Sequence, residues 1–179
     1  MDRQPTLAGE RLVLRPLVPE DFDALFAVAA DREIWALHPA HDRWQEPVFR
    51  GFVDEALASG GAFVVVDRAS GSIIGSSRYA QPDPDHPDEL EIGWSFLARA
   101  YWGRGYNAEA KRLLIAHALA HYPRVIFQVG TDNVISRKAM ENIGGILTGR
   151  TRVFERGGDM VEHVIYEITR ESFASGPLS

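Results

Sequence analysis

Gly103 and Gly105 lie in the run Tyr101-Trp102-Gly103-Arg104-Gly105-Tyr106-Asn107, between an apolar stretch that reads as a strand and a long amphipathic stretch that reads as a helix. That placement suits a phosphate. The first turn of a helix leaves main-chain N–H groups without partners inside the helix, and the aligned peptide dipoles add about half a positive charge there. Such a turn can hold a diphosphate through backbone alone, and glycines let that backbone come close. A Gly-x-Gly turn also occurs wherever a strand meets a helix tightly, so the rest of the chain has to decide the reading.

Other chemistries fall away on residue types. The chain has no cysteine, which removes disulfides, thiolate metal sites and any cysteinyl acyl intermediate together. His117 and His121 are spaced for one helix face, but no acidic partner or third ligand stands near them, so no metal is expected. A dinucleotide-binding reading of the turn needs a third glycine near position 108, where Ala108 stands, and an acidic residue at the end of a following strand. The stretch from Arg124 to Gln128 offers none before Asp132.

The elements that must position these residues follow from periodicity. Leu12 to Arg15 alternates as a half-buried strand that Pro16 ends. Pro19 starts a helix burying Phe22, Leu25, Phe26 and Ala29, and a second helix runs from about Pro47 to Ala58. Between them Trp35, His38, His41 and Trp44 lack periodicity and read either as a loop over a pocket or as core. Strands at 62–67 and 72–76 form a hairpin, and the proline-rich stretch 81–88 is an exposed connection. A strand at 90–97 leads into the glycine turn and a helix over 108–121. A buried strand at 125–129 and a helix over 134–143 follow, the helix closed by Gly144-Gly145. Strands at 146–156 and 160–169 are joined at Gly157-Gly158-Asp159. The expectation is one α/β domain over 1–179 with its core at about 7–170, a mixed, mostly antiparallel sheet of about seven strands and about four helices.

A length of 179 residues suits one domain. No stretch approaches the ~20 apolar residues of a membrane span, and the polar start lacks a signal-peptide pattern, so a cytoplasmic address is expected. The net charge of −6 argues against nucleic acid and suits a cationic substrate.

Three blocks together resemble the GCN5-related N-acetyltransferase (GNAT) superfamily, most closely its ribosomal-protein N-terminal acetyltransferase branch. They are Glu91-Ile92-Gly93-Trp94, the glycine turn, and the segment from Asn133 to Gly144. The resemblance covers nearly the whole chain. It implies acetyl-CoA as co-substrate and a primary amine as acceptor, either a protein N-terminus or a small molecule, in a monomer or homodimer. In this family two strands splay, and the pantetheine arm lies between them. The resemblance places the backbone of Phe96 and Leu97 against pantetheine and the amides from Gly103 through Arg104, Gly105 and Tyr106 to Asn107 on the diphosphate, with the Arg104 side chain adding a cation. It puts Asn133 on pantetheine.

Acetyl transfer to an amine needs a neutral amine, stabilisation of the oxyanion and a proton for the departing thiolate. At pH 7 roughly a tenth of α-amines but only a few in ten thousand lysines are neutral, so an α-amine asks less of a base. By resemblance the base is Glu91, which shares a strand face with Glu89, or Glu155 near a hairpin end. Ser136 assists the thiolate by resemblance, with helix capping as its competing or coexisting role. Many members use a tyrosine as acid where Met140 stands here. That difference keeps a rival in view, a non-catalytic acyl-CoA-binding module of the same fold.

Overall fold

The computed structural model describes residues 1–179. One eight-stranded sheet runs through the molecule. Its strands are β1 (Leu7–Ala8), β2 (Leu12–Pro16), β3 (Ala62–Asp67), β4 (Ile73–Tyr79), β5 (Glu89–Leu97), β6 (Arg124–Gly130), β7 (Ile146–Arg156) and β8 (Asp159–Thr169). The helices are α1 (Phe22–Ala29), α2 (Glu46–Ser59), α3 (Tyr106–Leu119), α4 (Val134–Asn142) and α5 (Arg170–Ala174). Spatial order is β1-β2-β3-β4-β5-β6-β8-β7, antiparallel throughout except for the parallel pair β5 and β6.

The sheet is covered on both faces, which explains the unbroken apolar run of β3. Phe63 and Val65 join a core that packs α3 against the sheet, while Ala62 and Val64 join a second core under α1 and α2 with Phe49 and Phe52. Tyr79 is fully buried, and its hydroxyl donates to the Leu114 carbonyl at 2.6 Å, which relieves the cost of taking that group out of water. Gly157 and Gly158 take φ of 58° and 89° in the β7–β8 turn, the left-handed pair that a two-residue hairpin requires.

The count of elements exceeds the expectation by one strand and one helix. Leu7–Ala8 is two residues long and too short to show a period. The last helix spans five residues and is marked by its cap alone, Thr169, whose hydroxyl accepts from the Ser172 amide at 3.1 Å. One boundary matters for the site. α3 starts at Tyr106 rather than at Ala108, so Gly105 is its N-cap.

Candidate active site

β5 and β6 share only three rungs, Glu89 with Arg124, Leu90 with Val125 and Glu91 with Ile126. Beyond them the strands part. β5 carries an irregularity here, because its pairing with β4 skips one residue of β4 against two of β5, and Trp94 adopts φ of 52°. A tryptophan in that region is strained, and the surroundings hold it there. The Arg78 guanidinium lies 4.6 Å from its ring. The gap opens into a cavity of about 320 Å³ lined by Glu91 to Ser95 of β5, Phe127 to Gly130 of β6, and residues of α3, α4, β7 and the 36–45 loop.

At one end of the gap stands the glycine turn. Gly103 and Gly105 have φ of 67° and 81°, which side chains resist. No protein group accepts a hydrogen bond from any main-chain N–H between Gly103 and Ala108. The turn is fixed from below, since the Tyr106 hydroxyl donates to Asp67 at 3.2 Å and the Tyr106 ring meets the Tyr101 ring edge-on at 4.9 Å. Arg11 braces it from the side. Its Nε donates to Glu109 at 2.9 Å, it donates to the Arg104 carbonyl, and its guanidinium covers the Tyr106 ring at 5.0 Å. The Arg104 side chain is exposed and donates to the Ala100 carbonyl at 3.1 Å.

Glu91 is the single carboxylate among the residues lining the cavity. It is half-buried and accepts from the Gln128 amide at 2.8 Å. Burial pushes its carboxyl above the ordinary range, against the Gln128 hydrogen bond and the nearby Arg152, Arg156 and Arg78. Glu89 behaves differently. It is buried and held by two donors of Arg150, at 3.1 and 2.8 Å. Asn133 caps α4, with its side-chain oxygen accepting from the Ser136 amide at 3.2 Å. Ser136 therefore sits inside the first turn, and its hydroxyl, half-buried on the cavity wall, has no protein partner. Lys111 projects from α3 into the same space and donates to the Ser95 hydroxyl at 2.6 Å. Burial brings its ammonium down to about 8. His38 is held neutral, brought down to about 3 by burial and by Arg43. The Ala40 amide donates to its Nδ1 at 2.9 Å, so its proton is on Nε2.

The sequence model of the acetyltransferase (GNAT) domain matches residues 11–146. The chain belongs to the GNAT family. A curated relative, the uncharacterized N-acetyltransferase p20 of Bacillus licheniformis, is 25% identical over 177 residues, covering 94% of this chain and 98% of its own. Among solved structures, a probable acetyltransferase from Chromobacterium violaceum superposes with a TM-score of 0.83 at 22% identity, covering 94% of this chain and 88% of its own. A putative ribosomal-protein-serine acetyltransferase from Vibrio cholerae gives 0.77 at 17% identity, with 94% and 99% covered. GNAT acetyltransferases take their acyl group from acetyl-CoA, and the unpartnered amides of the glycine turn are a fit for its diphosphate. No helix of this acetyltransferase is long and apolar enough to cross a membrane.

Set against the expected residues, the acetyltransferase gathers Glu91, Asn107, Asn133, Ser136 and Met140 around one cavity. Gly103, Arg104, Gly105 and Tyr106 form the turn at its end. Phe96 and Leu97 are buried where β5 has left β6, and the Leu97 carbonyl is taken by the Trp102 indole N–H at 2.8 Å. One expectation needs correction and another falls outside the cavity lining. Glu155 is exposed and points away from the cavity, because Arg152, Phe154 and Arg156 take the inward positions of β7 and strict alternation turns Glu155 outward. The cap of α4 is Asn133 and not Ser136. Of the aromatic loop residues, Trp35 is core, with its indole donating to the Ala29 carbonyl at 2.8 Å, whereas His38 lines the cavity. Lys111, Arg43, Arg152, Arg156 and His163 also line it without having been expected. Only Lys111 left a local trace, a cation on the apolar face of a helix.

Proposed function

We infer that this acetyltransferase moves the acetyl group of acetyl-CoA to a primary amine by direct attack within a ternary complex. The observation that carries the reading is the notch between β5 and β6, with Glu91 on its wall and unpartnered amides at its end. The amides of residues 103–108 would hold the diphosphate, with Arg104 and Arg11 as neighbouring cations. The edge of β5 from Trp94 to Leu97 would pair with pantetheine, save for the Leu97 carbonyl that the Trp102 indole already takes, and the Asn133 side-chain amide, whose oxygen is committed to its helix, still has N–H groups to donate.

In this reading Glu91 accepts a proton from the amine, directly or through one water, as its nitrogen forms a bond to the acetyl carbon. The carbon–sulfur bond breaks, and the thiolate takes a proton from the Ser136 hydroxyl or from water. Burial supports Glu91 in this role, because a carboxyl raised above its ordinary value is a stronger base. Glu91 lines the cavity and Glu155, exposed on the outer side of β7, does not, so Glu91 is the base we favour.

Calorimetry with acetyl-CoA, followed by a screen of amine acceptors for thiol release, tests the function. Micromolar binding and acceptor-dependent release are expected. Absence of any heat on titration with acetyl-CoA would overturn the reading at its first step.

A further inference from the structure

The chain is acidic overall, yet the wall of its cavity is basic. Arg43, Lys111, Arg152 and Arg156 face Glu91 alone among charged residues, and His38 and His163 both have their charged forms disfavoured by burial. The three arginines come from two separate parts of the chain. Arg152 and Arg156 are inward positions of β7, while Arg43 belongs to the 36–45 loop, which reaches across the opening. Pro39 of that loop lies against Gly130, and His41 lies against Gly157 of the β7–β8 turn.

None of these arginines is satisfied by a close carboxylate of the protein. Arg43 is half-buried over the Phe52 ring at 4.6 Å and the Trp35 ring at 5.6 Å, and it makes no hydrogen bond or ion pair. Burial and repulsion from Arg156 and Arg78 bring it down to about 10, against a partial pull upward from Glu55 and Asp42, neither of which makes an ion pair with it. Arg152 has only Asp83, at 3.7 Å, and Arg156 donates to the Glu155 carbonyl at 3.0 Å. Half-buried cations packed near one another with only long or distant counter-charges are expensive, and an anionic ligand offsets that expense. Guanidinium groups suit carboxylate and phosphate in particular, because their forked donors match two oxygens. Coenzyme A has its own anion site at the start of α3, on different elements.

We propose that Arg43, Arg152 and Arg156 form an oxyanion subsite for the acceptor, so that the enzyme acetylates small amines that also carry a carboxylate or phosphate. The proposal rests on the transfer reading above and deepens it. It narrows the expectation, drawn from net charge, of a cationic substrate. The arrangement also orients the acceptor, since an anion drawn to the arginines leaves the amine to meet Glu91, the one carboxylate.

Matched acceptors test it. Rates of thiol release from acetyl-CoA are compared for L-leucine against 3-methylbutylamine and for phosphoethanolamine against ethanolamine. The wild type should favour the anion-bearing member of at least one pair by tenfold or more in kcat/KM. Arg43→Met and Arg152→Gln should cut that preference several-fold, mainly through KM, and Arg43→Lys should restore part of it. Equal or faster turnover of the amines without an anion, or a preference that survives both substitutions in folded protein, overturns the proposal. A second readout needs no turnover. With the protein saturated by coenzyme A, calorimetry with 4-methylpentanoate and with inorganic phosphate should show binding that weakens about tenfold in Arg43→Met. No binding of either anion to the wild type overturns the proposal even if uncharged-tail amines are acetylated. Arg43-dependent anion binding without acetylation of any amine would instead sink the transfer reading and leave the subsite standing.

Discussion

Replacing Glu91 by glutamine separates proton acceptance from everything else that side chain does. Glutamine keeps the length, the shape and an oxygen where the Gln128 amide donates at 2.8 Å, so only the base is lost. A positioned general base contributes typically about 10²–10⁴-fold, or roughly 3–5 kcal/mol of barrier. Glu91→Gln should therefore lose about that factor in kcat for thiol release, with KM for acetyl-CoA unchanged. The pH profile tests the same group again. Burial raises Glu91 above the ordinary 4.5, so the wild-type rate should fall on the acid side above that value, and the variant should lack this limb. Stability moves the other way. A carboxyl raised in the folded state binds its proton more tightly there than in the unfolded chain. Folding thus loses free energy as pH climbs from the ordinary value through the raised one. The variant has no such proton, so it should be at least as stable as the wild type at pH 7, with the advantage gone below about pH 4. An acceptor whose amine is already neutral should suffer less from the substitution. Full wild-type kcat with an unaltered acid limb in Glu91→Gln would refute the assignment.

Gly105→Ala should cost about 1–2 kcal/mol in chemical denaturation and weaken acetyl-CoA binding in calorimetry, since φ there is 81° and the added methyl would lie 2.8 Å from the braced Arg11 guanidinium. Gly103→Ala meets open space, so only its φ of 67° should register, and its loss of stability should be the smaller of the two. Lys111→Met should stabilise the fold at neutral pH by on the order of 2–3 kcal/mol, because the buried ammonium is brought down to about 8 and has no carboxylate. That gain should be full below pH 8 and shrink as pH rises toward the ordinary 10.5, where the unfolded chain also loses its proton. Glu89→Ala strips the Arg150 guanidinium of both its acceptors; as the Arg150 side chain is still 37% exposed, water softens the loss to about 1–3 kcal/mol in the urea midpoint.

Local signals in the sequence located the glycine turn, the hairpin glycines and the strand at 62–67, because each depends on residues within one turn or one strand. What escaped depends on register. Parity along β7 cannot be counted from its start, since the pairing with β8 shifts between Leu147 and Thr151, and Glu155 consequently faces outward while Arg156 faces in. Glu89 and Glu91 share a strand face by period two, yet one is claimed by Arg150, sixty-one positions away, and the other by Gln128, thirty-seven away. Neither partner has a signature near the glutamate. The basic cavity wall was hidden for a related reason, because net charge averages over a surface and the arginines converge only when β7 and the 36–45 loop come together. The sequence reads capping of α4 onto Ser136, whereas the helix starts at Val134 and leaves the cap to Asn133.

The three rungs between β5 and β6 are a short suture in an otherwise continuous sheet. On one side lie five strands and on the other three, and α3, which packs on β2, β5 and β6, splints them across the join. Alignment of the two portions therefore depends on the helix as well as on the ladder. Amides bordering the suture should exchange with deuterium through a cheaper opening than those inside β3–β4 or β6–β8. A molecule threaded along both bare strand margins would supply the missing ladder, so the slowing of exchange on binding should spread well past its own footprint, into strands it never touches.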